Sequence, residues 1–346
     1  MKAIVYTRSG GPDVLQLVEH PVPEPGPGQV RVKVHVSGVN PTDWKFRSGV
    51  ASIGTDLVEQ VPNQDGSGVI DAVGDGVDAG RIGQRVWLWE AAWQRPDGTA
   101  QEYVALPERQ AVPLPAGASF DLGASIGIPA ITAHRCLTVA DGGPDRLAPG
   151  ALSGRTVLVA GGAGAVGNAA IQLARWAGAT VVTTVSSQEK SRLATAAGAH
   201  HTVNYRAEDA AAAVRQAAPD GVDIIVEVAP AVNVDLDGAV IAPNGVVAAY
   251  STDGGAEVAL PIRPFFAPNS RWQFVLVYTM PDVAKEHAIA ATTEAVTAGA
   301  LRAGEEAGLP LHHFPLADTA KAHAAVEDHV VGKVLINVLQ SQGPTA

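Results

Sequence analysis

From Val30 onward the chain alternates: Val30, Val32, Val34 and Val36 are separated by Arg31, Lys33 and His35. A two-residue period places one face of a strand in a core and the other toward water. Short runs of similar character recur through the first third, at residues 3–6, 14–18, 69–73, 85–89 and 102–106. Gly10-Gly11-Pro12 closes the first of them, and the proline- and glycine-punctuated stretch 21–28 reads as a turn or loop. Several short strands at this spacing predict a small barrel-like β domain over residues 1–130.

Beyond residue 131 the pattern changes. Apolar runs at 156–160, 180–185, 201–204, 223–228, 246–250 and 272–278 alternate with helical stretches such as 168–177 and 188–197. Gly178 and Gly198 follow those two helices, where a glycine is the expected stop. Alternating strand and helix predict a doubly wound parallel sheet over 131–283. The remainder, 284–346, holds helical patterns at 284–298 and 318–327 and a strand at 334–338. It is too small to stand alone and is expected to complete the first domain. The fold class is therefore α/β: a β-barrel domain interrupted by a Rossmann-type sheet.

The uncharged run 156–174, between Arg155 and Arg175, is long enough to span a bilayer. Gly161, Gly162, Gly164, Gly167, Asn168 and Gln172 within it predict a strand, a glycine turn and a helix instead. The apolar run at the N-terminus is too short for a signal-peptide core, so the chain is expected to be soluble and cytoplasmic, with no membrane partner. Its 346 residues suit two domains at ~150 residues each. With 47% hydrophobic and 17% charged residues, disorder is excluded as the main state. A net charge of −11 argues against a nucleic-acid partner, which clustered positive charge would attract. Cys136 is the only cysteine, which excludes a disulfide framework and a multi-cysteine zinc site.

The most informative motif is Gly162-Ala163-Gly164-Ala165-Val166-Gly167, following the run Val157-Leu158-Val159-Ala160. Gly162, Gly164 and Gly167 have G-x-G-x-x-G spacing between a predicted strand and a predicted helix. In a dinucleotide site the first glycine permits a tight turn, the second lets backbone approach a pyrophosphate, and the third lets helix pack on strand. The phosphates would rest on free N–H groups at the positive end of the helix dipole. An NAD site places an acid at the tip of the next strand. Here that strand ends Thr183-Thr184-Val185-Ser186-Ser187, without one. Ser186 and Ser187 offer hydroxyls and Lys190 a positive charge, which suits a 2′-phosphate, so NADPH is the expected cofactor. Ser187 is also a candidate helix cap.

The segment Gly38-Val39-Asn40-Pro41-Thr42-Asp43-Trp44-Lys45-Phe46-Arg47-Ser48-Gly49 resembles a G-x-N-x-x-D-x-x-x-R-x-G stretch of quinone oxidoreductases. These are the zinc-free, zeta-crystallin-like branch of the medium-chain dehydrogenase/reductase superfamily. Gly66-Ser67-Gly68, Gly83-Gln84-Arg85-Val86, Gly98-Thr99-Ala100-Gln101-Glu102-Tyr103-Val104, Thr132-Ala133, Asn204-Tyr205 and Gly332-Lys333-Val334 extend the likeness nearly end to end. The resemblance implies a GroES-like domain (1–130 and 284–346) around a Rossmann domain (131–283), with the active site in the cleft between. It implies that Asn40 and Thr132 lie near the nicotinamide and that Ala163 to Val166 follow the pyrophosphate. Ser186, Lys190 and Tyr205 would hold the adenosine phosphate, with Tyr250, Ser251 and Lys333 as further cofactor contacts. It also implies a homodimer, with the strand near 274–278 at the interface.

Zinc-dependent relatives need a cysteine where this chain has Asn40, so no metal site is expected. The His200-His201 and His312-His313 pairs show no ligand pattern and are read as surface or core residues. Hydride can pass to a quinone or an α,β-unsaturated carbonyl without a Lewis acid, because the charge lands on oxygen. Asn40 is a candidate donor to that oxygen. Tyrosines that relatives carry just after this segment are replaced by Lys45 and Ala51, which makes Lys45 a second catalytic candidate. The expected activity is NADPH-dependent quinone reduction. Reduction of an enone or enoyl double bond, or a non-catalytic NADPH-binding redox sensor, are the alternatives. Asp43 and Arg47, four apart, are expected to pair; Asp223 and Glu227 to serve caps or turns; Trp87, Trp89, Trp93 and His323 to pack.

Overall fold

The computed structural model describes residues 1–51 and 59–339. The chain divides into two compact units, Met1–Ile128 with Leu311–Ala346, and Pro129–Pro310. The return to the first unit thus falls at residue 311, not at 284 as the sequence suggested. The reason is the helix Asp282–Thr297, which buries Ala288, Ala291, Thr292 and Ala295. It is tied within its own unit by Lys285 Nζ donating to the Tyr278 carbonyl at 3.0 Å and by an Arg146–Glu294 ion pair.

The first unit begins with strands β1 (Lys2–Val5) and β2 (Gln16–Glu19), paired antiparallel. β3 (Gln29–Val39) follows, then helix α1 (Pro41–Ser48), β4 (Asp65–Val73), β5 (Arg85–Leu88), β6 (Tyr103–Pro107), β7 (Ala111–Pro113) and the first half of helix α2 (Phe120–Leu137), whose residues from Pro129 on are counted with the second unit. β3 is the trunk of the larger sheet. Its valines are buried alternately, as their spacing predicts, and it pairs antiparallel with both β4 and β6. The inward side chains Val30, Val32, Val34, Ile70, Val86, Leu88, Val104 and Leu106 form one core. Trp87 and Trp89 are buried, and Trp93 tilts against Phe46 at 6.1 Å.

Residues 41–48 are helical for local reasons. Pro41 occupies the first helical position, where its missing N–H is harmless, and Gly49 ends the helix at φ +82°. Asp43 and Arg47 do not satisfy each other as expected. The Asp43 carboxylate accepts the N–H groups of Asn40 and Gln64, while Arg47 lies 2.9 Å from Glu327 and donates to the Gly10 carbonyl.

The second unit runs β8 (Thr156–Ala160), α3 (Ala165–Trp176), β9 (Thr180–Val185), α4 (Gln188–Ala196), β10 (His201–Asn204), α5 (Ala210–Ala217), β11 (Val222–Glu227), α6 (Pro230–Val240), β12 (Ile241–Ala249), α7 (Ile262–Phe266), β13 (Arg271–Phe274) and α8 (Asp282–Thr297). The strands lie in the order β10-β9-β8-β11-β12-β13, all parallel. Growth of the sheet reverses between β8 and β11, the switch point outside whose strand ends ligands bind in such sheets. The run predicted at 246–250 begins earlier, at Ile241, and that at 272–278 stops at Phe274. Asp223 holds the edge of β8 by accepting the Thr156 N–H at 2.8 Å, and Glu227 accepts from Ala229 N and Asn233 Nδ2 at the start of α6.

The chain then re-enters the first unit with β14 (Leu311–Pro315), α9 (Thr319–Glu327) and β15 (Lys333–Asn337). β15 pairs parallel with β14 and antiparallel with the end of β3. Buried His323, on α9, shares a hydrogen bond with Asn63 Oδ1. No helix among the described residues is long and apolar enough to cross a membrane.

Candidate functional site

The glycine turn between β8 and α3 is built by three different demands. The left-handed residue of the turn is Gly161, at φ +70°. A Cβ on Gly162 would stand 2.2 Å from Thr183 Oγ1, so this glycine makes room for β9. A Cβ on Gly167 would meet the Gly161 carbonyl oxygen at 2.4 Å, so here the helix presses on the turn. Gly164 is different: a Cβ there would find only the Gly161 oxygen, at 3.5 Å. Gly164 is also the N-cap of α3, and no side chain caps it. α4 and α5 are capped by Ser187 and Asp209. The first N–H groups of α3, from Ala165 and Val166, therefore face an open side without a side-chain acceptor. That cradle fits a pyrophosphate.

The residues expected at the adenosine end sit beyond β9 and β10. Ser186, Ser187 and Lys190 are half-buried, and Tyr205 is exposed. Ser187 Oγ accepts the Lys190 N–H at 3.2 Å, so it is a helix cap, and its own hydrogen remains to donate. Tyr250 follows β12, its N–H given to the Glu227 carbonyl and its hydroxyl held well above the usual phenol range by burial. Ser251 Oγ donates to Asp253 Oδ1 at 2.9 Å. Thr132 is buried on α2.

In the first unit, three neighbouring strands bring distant residues together. Register pairs Val39 with Val334 and Gly38 with Asp65, so Asn40, Asp65 and Lys333 meet at one end of β3, β4 and β15. Asn40 Nδ2 donates to Asp65 Oδ2 at 2.7 Å; Lys333 Nζ donates to Asn40 Oδ1 at 2.7 Å and to Asp65 Oδ2 at 3.2 Å. Asp65 Oδ1 accepts the Ile128 N–H at 2.8 Å. All three side chains are at most 3% exposed. The Asn40 backbone N–H is held by Asp43 Oδ2 at 2.7 Å.

Burial, the largest effect, pushes both carboxyls up, Asp43 to about 8. Lys333 pulls each back down, and Asn40 and Ile128 do the same for Asp65. Asp65 was not singled out from the sequence. The available signal was an acid inside a buried glycine-rich strand, Asp65-Gly66-Ser67-Gly68, which must find partners there.

Lys45 is not part of this cluster. Five residues beyond the N-cap Asn40, it lies about 140° further around the helix axis. Its Nζ stands over the Trp44 ring, 5.8 Å from the centroid. The cation that meets Asn40 is Lys333.

Among the described residues, Cys136 and the histidines do not gather into a zinc site. Cys136 is buried on α2, where burial raises its thiol well above the ordinary range. Burial holds His134 down at about 3, and its Nε2 accepts the Leu147 N–H at 3.1 Å. His200 contacts Arg175 and accepts from Val181 N, and His312 Nε2 is bonded to the Val331 carbonyl. Among the described residues no three His, Cys, Asp or Glu side chains gather into a metal-holding group.

Comparison with known proteins gives a consistent picture. Residues 26–116 match the alcohol dehydrogenase GroES-like domain, and residues 165–294 match the zinc-binding dehydrogenase family. A rat quinone oxidoreductase is 35% identical over 260 residues, 75% of each chain, and the human one is 34% identical over the same span. The structure of an NAD-dependent alcohol dehydrogenase superposes with a TM-score of 0.85 at 31% identity, covering 98% of this chain and 100% of that one. A mycobacterial protein complexed with NADPH superposes with a TM-score of 0.82 at 28% identity, covering 97% and 100%.

Proposed function

The chain belongs to the quinone oxidoreductase branch of the medium-chain dehydrogenase/reductase superfamily and is an oxidoreductase of that superfamily; we propose that it passes hydride from NADPH to a quinone without zinc. The observation that carries the reading is the buried Asn40 amide. Lys333 holds its oxygen and Asp65 one of its hydrogens, which leaves the second Nδ2 hydrogen for a ligand. NADPH supplies the hydride. As hydride reaches the acceptor, negative charge develops on the acceptor oxygen, and a fixed N–H donor at that point stabilises it. Water protonates the hydroquinone oxygen, completing a two-electron, two-proton reduction. No zinc step is included, since among the described residues no three His, Cys, Asp or Glu side chains gather into a metal-holding group. The uncapped start of α3 and the open side of Gly164 support pyrophosphate binding through Ala163, Ala165 and Val166. Ser186, Ser187, Lys190 and Tyr205 support the 2′-phosphate end. Thr132, Tyr250 and Ser251 are proposed as cofactor contacts, and Lys45 as a residue near the acceptor.

The test is a panel of quinones and enones assayed with both reduced nucleotides. NADPH is expected to show a Michaelis constant at least about tenfold below that of NADH, and Lys190→Ala to remove most of the difference by loss of one phosphate contact. Equal constants would overturn the cofactor assignment. Turnover of enones alone would move the acceptor to an activated double bond, and tight NADPH binding with no turnover would favour a sensor.

We also propose a homodimer formed along β13. This strand is the edge of the parallel sheet, and Phe274 and Leu276 at its end are 67% and 54% exposed. Ile262 and Phe266 on α7 are exposed as well. An uncovered edge with apolar side chains favours pairing with another edge. Sedimentation equilibrium should give twice the chain mass, and Phe274→Glu with Leu276→Glu should give single chains. A wild-type protein sedimenting as one chain rules the dimer out.

A further inference from the structure

The reading above uses Asn40 as a donor but assigns Asp65 no task, although this carboxylate is completely buried and takes three hydrogen bonds. We propose that Asp65 is a positioning residue for the reaction: with Lys333 it fixes the Asn40 amide so that only an N–H is offered to the acceptor oxygen. The inference rests on the hydride-transfer reading and names the residue that makes Asn40 competent in it.

A free asparagine amide can present either its oxygen or its nitrogen to a ligand. Here the choice is made by two neighbours of opposite character. Lys333 Nζ can only donate, and it stands 2.7 Å from Oδ1. Asp65 Oδ2 also receives the lysine and stands 2.7 Å from Nδ2. Turned over, the amide would set its oxygen against the carboxylate and its hydrogens against the ammonium. The backbone beneath it is held as well, by Asp43 Oδ2 on the Asn40 N–H.

Asp65 has no freedom of its own. Its Oδ1 takes the N–H of Ile128, the residue before Pro129 in α2. A Cβ on Gly127 would stand 2.2 Å from that oxygen, so the helix backbone lies directly against the carboxylate. One Nδ2 hydrogen is spent on Asp65 and the second has no partner among the described residues. The amide therefore offers a ligand an N–H, its oxygen being turned to Lys333. That selects an oxygen gaining negative charge over a hydroxyl that must give up its hydrogen.

Asp65 also balances Lys333. Without the carboxylate, a buried ammonium would lose its counter-charge. The ionisable groups facing Lys333 are Asp65 and Asp43.

The experiment uses the full chain, with NADPH and a quinone that the wild type reduces. Asp65→Asn is expected to lower kcat by about 10²-fold, the scale of losing one aligned oxyanion donor, with the Michaelis constant for NADPH within about threefold. Its Michaelis constant for the quinone is expected to stay within about threefold, so that the loss falls on kcat. NADPH binding, followed by fluorescence, reports that each variant is folded. A purely structural Asp65 would lower the melting temperature while leaving kcat of folded protein unchanged, and that result overturns the proposal. If Asp65→Asn does not fold, the double variant Asp65→Asn/Lys333→Met, which buries neither charge, is expected to fold with the same low kcat; wild-type kcat there also overturns it. A wild type that reduces no quinone sinks the hydride-transfer reading and this inference with it. A wild type that turns over alongside an unimpaired Asp65→Asn sinks only the inference.

Discussion

Gly164→Ala is expected to weaken NADPH binding tenfold or more while leaving the melting temperature within about 2 °C of wild type, whereas Gly167→Ala is expected to cost about 2–4 kcal/mol of stability. The two glycines lie three residues apart in the same motif, and their surroundings separate them. At Gly164 the backbone is extended, at φ −81° and ψ 164°, which alanine adopts without strain. The added methyl faces the open side of the α3 N-terminus, where it would stand between the helix N–H groups and a phosphate. At Gly167 the same methyl would sit 2.4 Å from the Gly161 carbonyl and 3.0 Å from the Gly162 Cα. Neither atom belongs to a flexible side chain, so the helix must move off the turn. Titration calorimetry with NADPH and urea unfolding of both variants check the pair. Equal loss of binding at unchanged stability in both would refute this division of roles.

Lys333→Met is expected to destabilise the protein by about 3–5 kcal/mol, and Lys333→Met/Asp65→Asn to recover most of that loss. Methionine fills much of the space of the lysine stem, so the loss is chiefly electrostatic. It leaves Asp65 buried with hydrogen bonds from Asn40 and Ile128 but no cation, and with Asp43 nearby. The deficit should depend on pH in a defined direction. Burial already raises the Asp65 carboxyl above its unfolded value, and Lys333 is what pulls it back. Without that pull the folded protein holds the proton more tightly. Acid therefore relieves the variant, and its deficit relative to wild type grows as pH rises. Urea midpoints for the three proteins at acidic and neutral pH test both parts. A double variant no more stable than Lys333→Met would show that the carboxylate and ammonium do not act as a pair.

Much of this protein is written locally in its chain. The alternation of Val30 to Val36 marked the trunk strand of the first unit, and the runs 156–160, 180–185 and 201–204 coincide with β8, β9 and β10. These features are legible because one element's burial pattern depends on its own period, and a strand–glycine–helix turn closes within a dozen residues. Ser187 was equally readable as the cap of α4.

What the sequence left open depends on choices made between elements. Lys45 and Asn40 are neighbours in the chain, yet helix geometry turns them apart. Lys333 and Asn40 are 293 positions apart, yet the registers of β15 on β3 and of β3 on β4 bring them within 2.7 Å. Asp43 and Arg47 have the spacing of a helical ion pair, but backbone N–H groups and Glu327 offered better partners. The sequence alone determined the trunk strand of the first unit, the alternation of strand and helix in the second, and where a glycine turn opens a helix. Only the tertiary structure decided which polar side chains share a buried site, because strand register and helix contact, set by the packing of the whole unit, select a partner that no periodicity encodes.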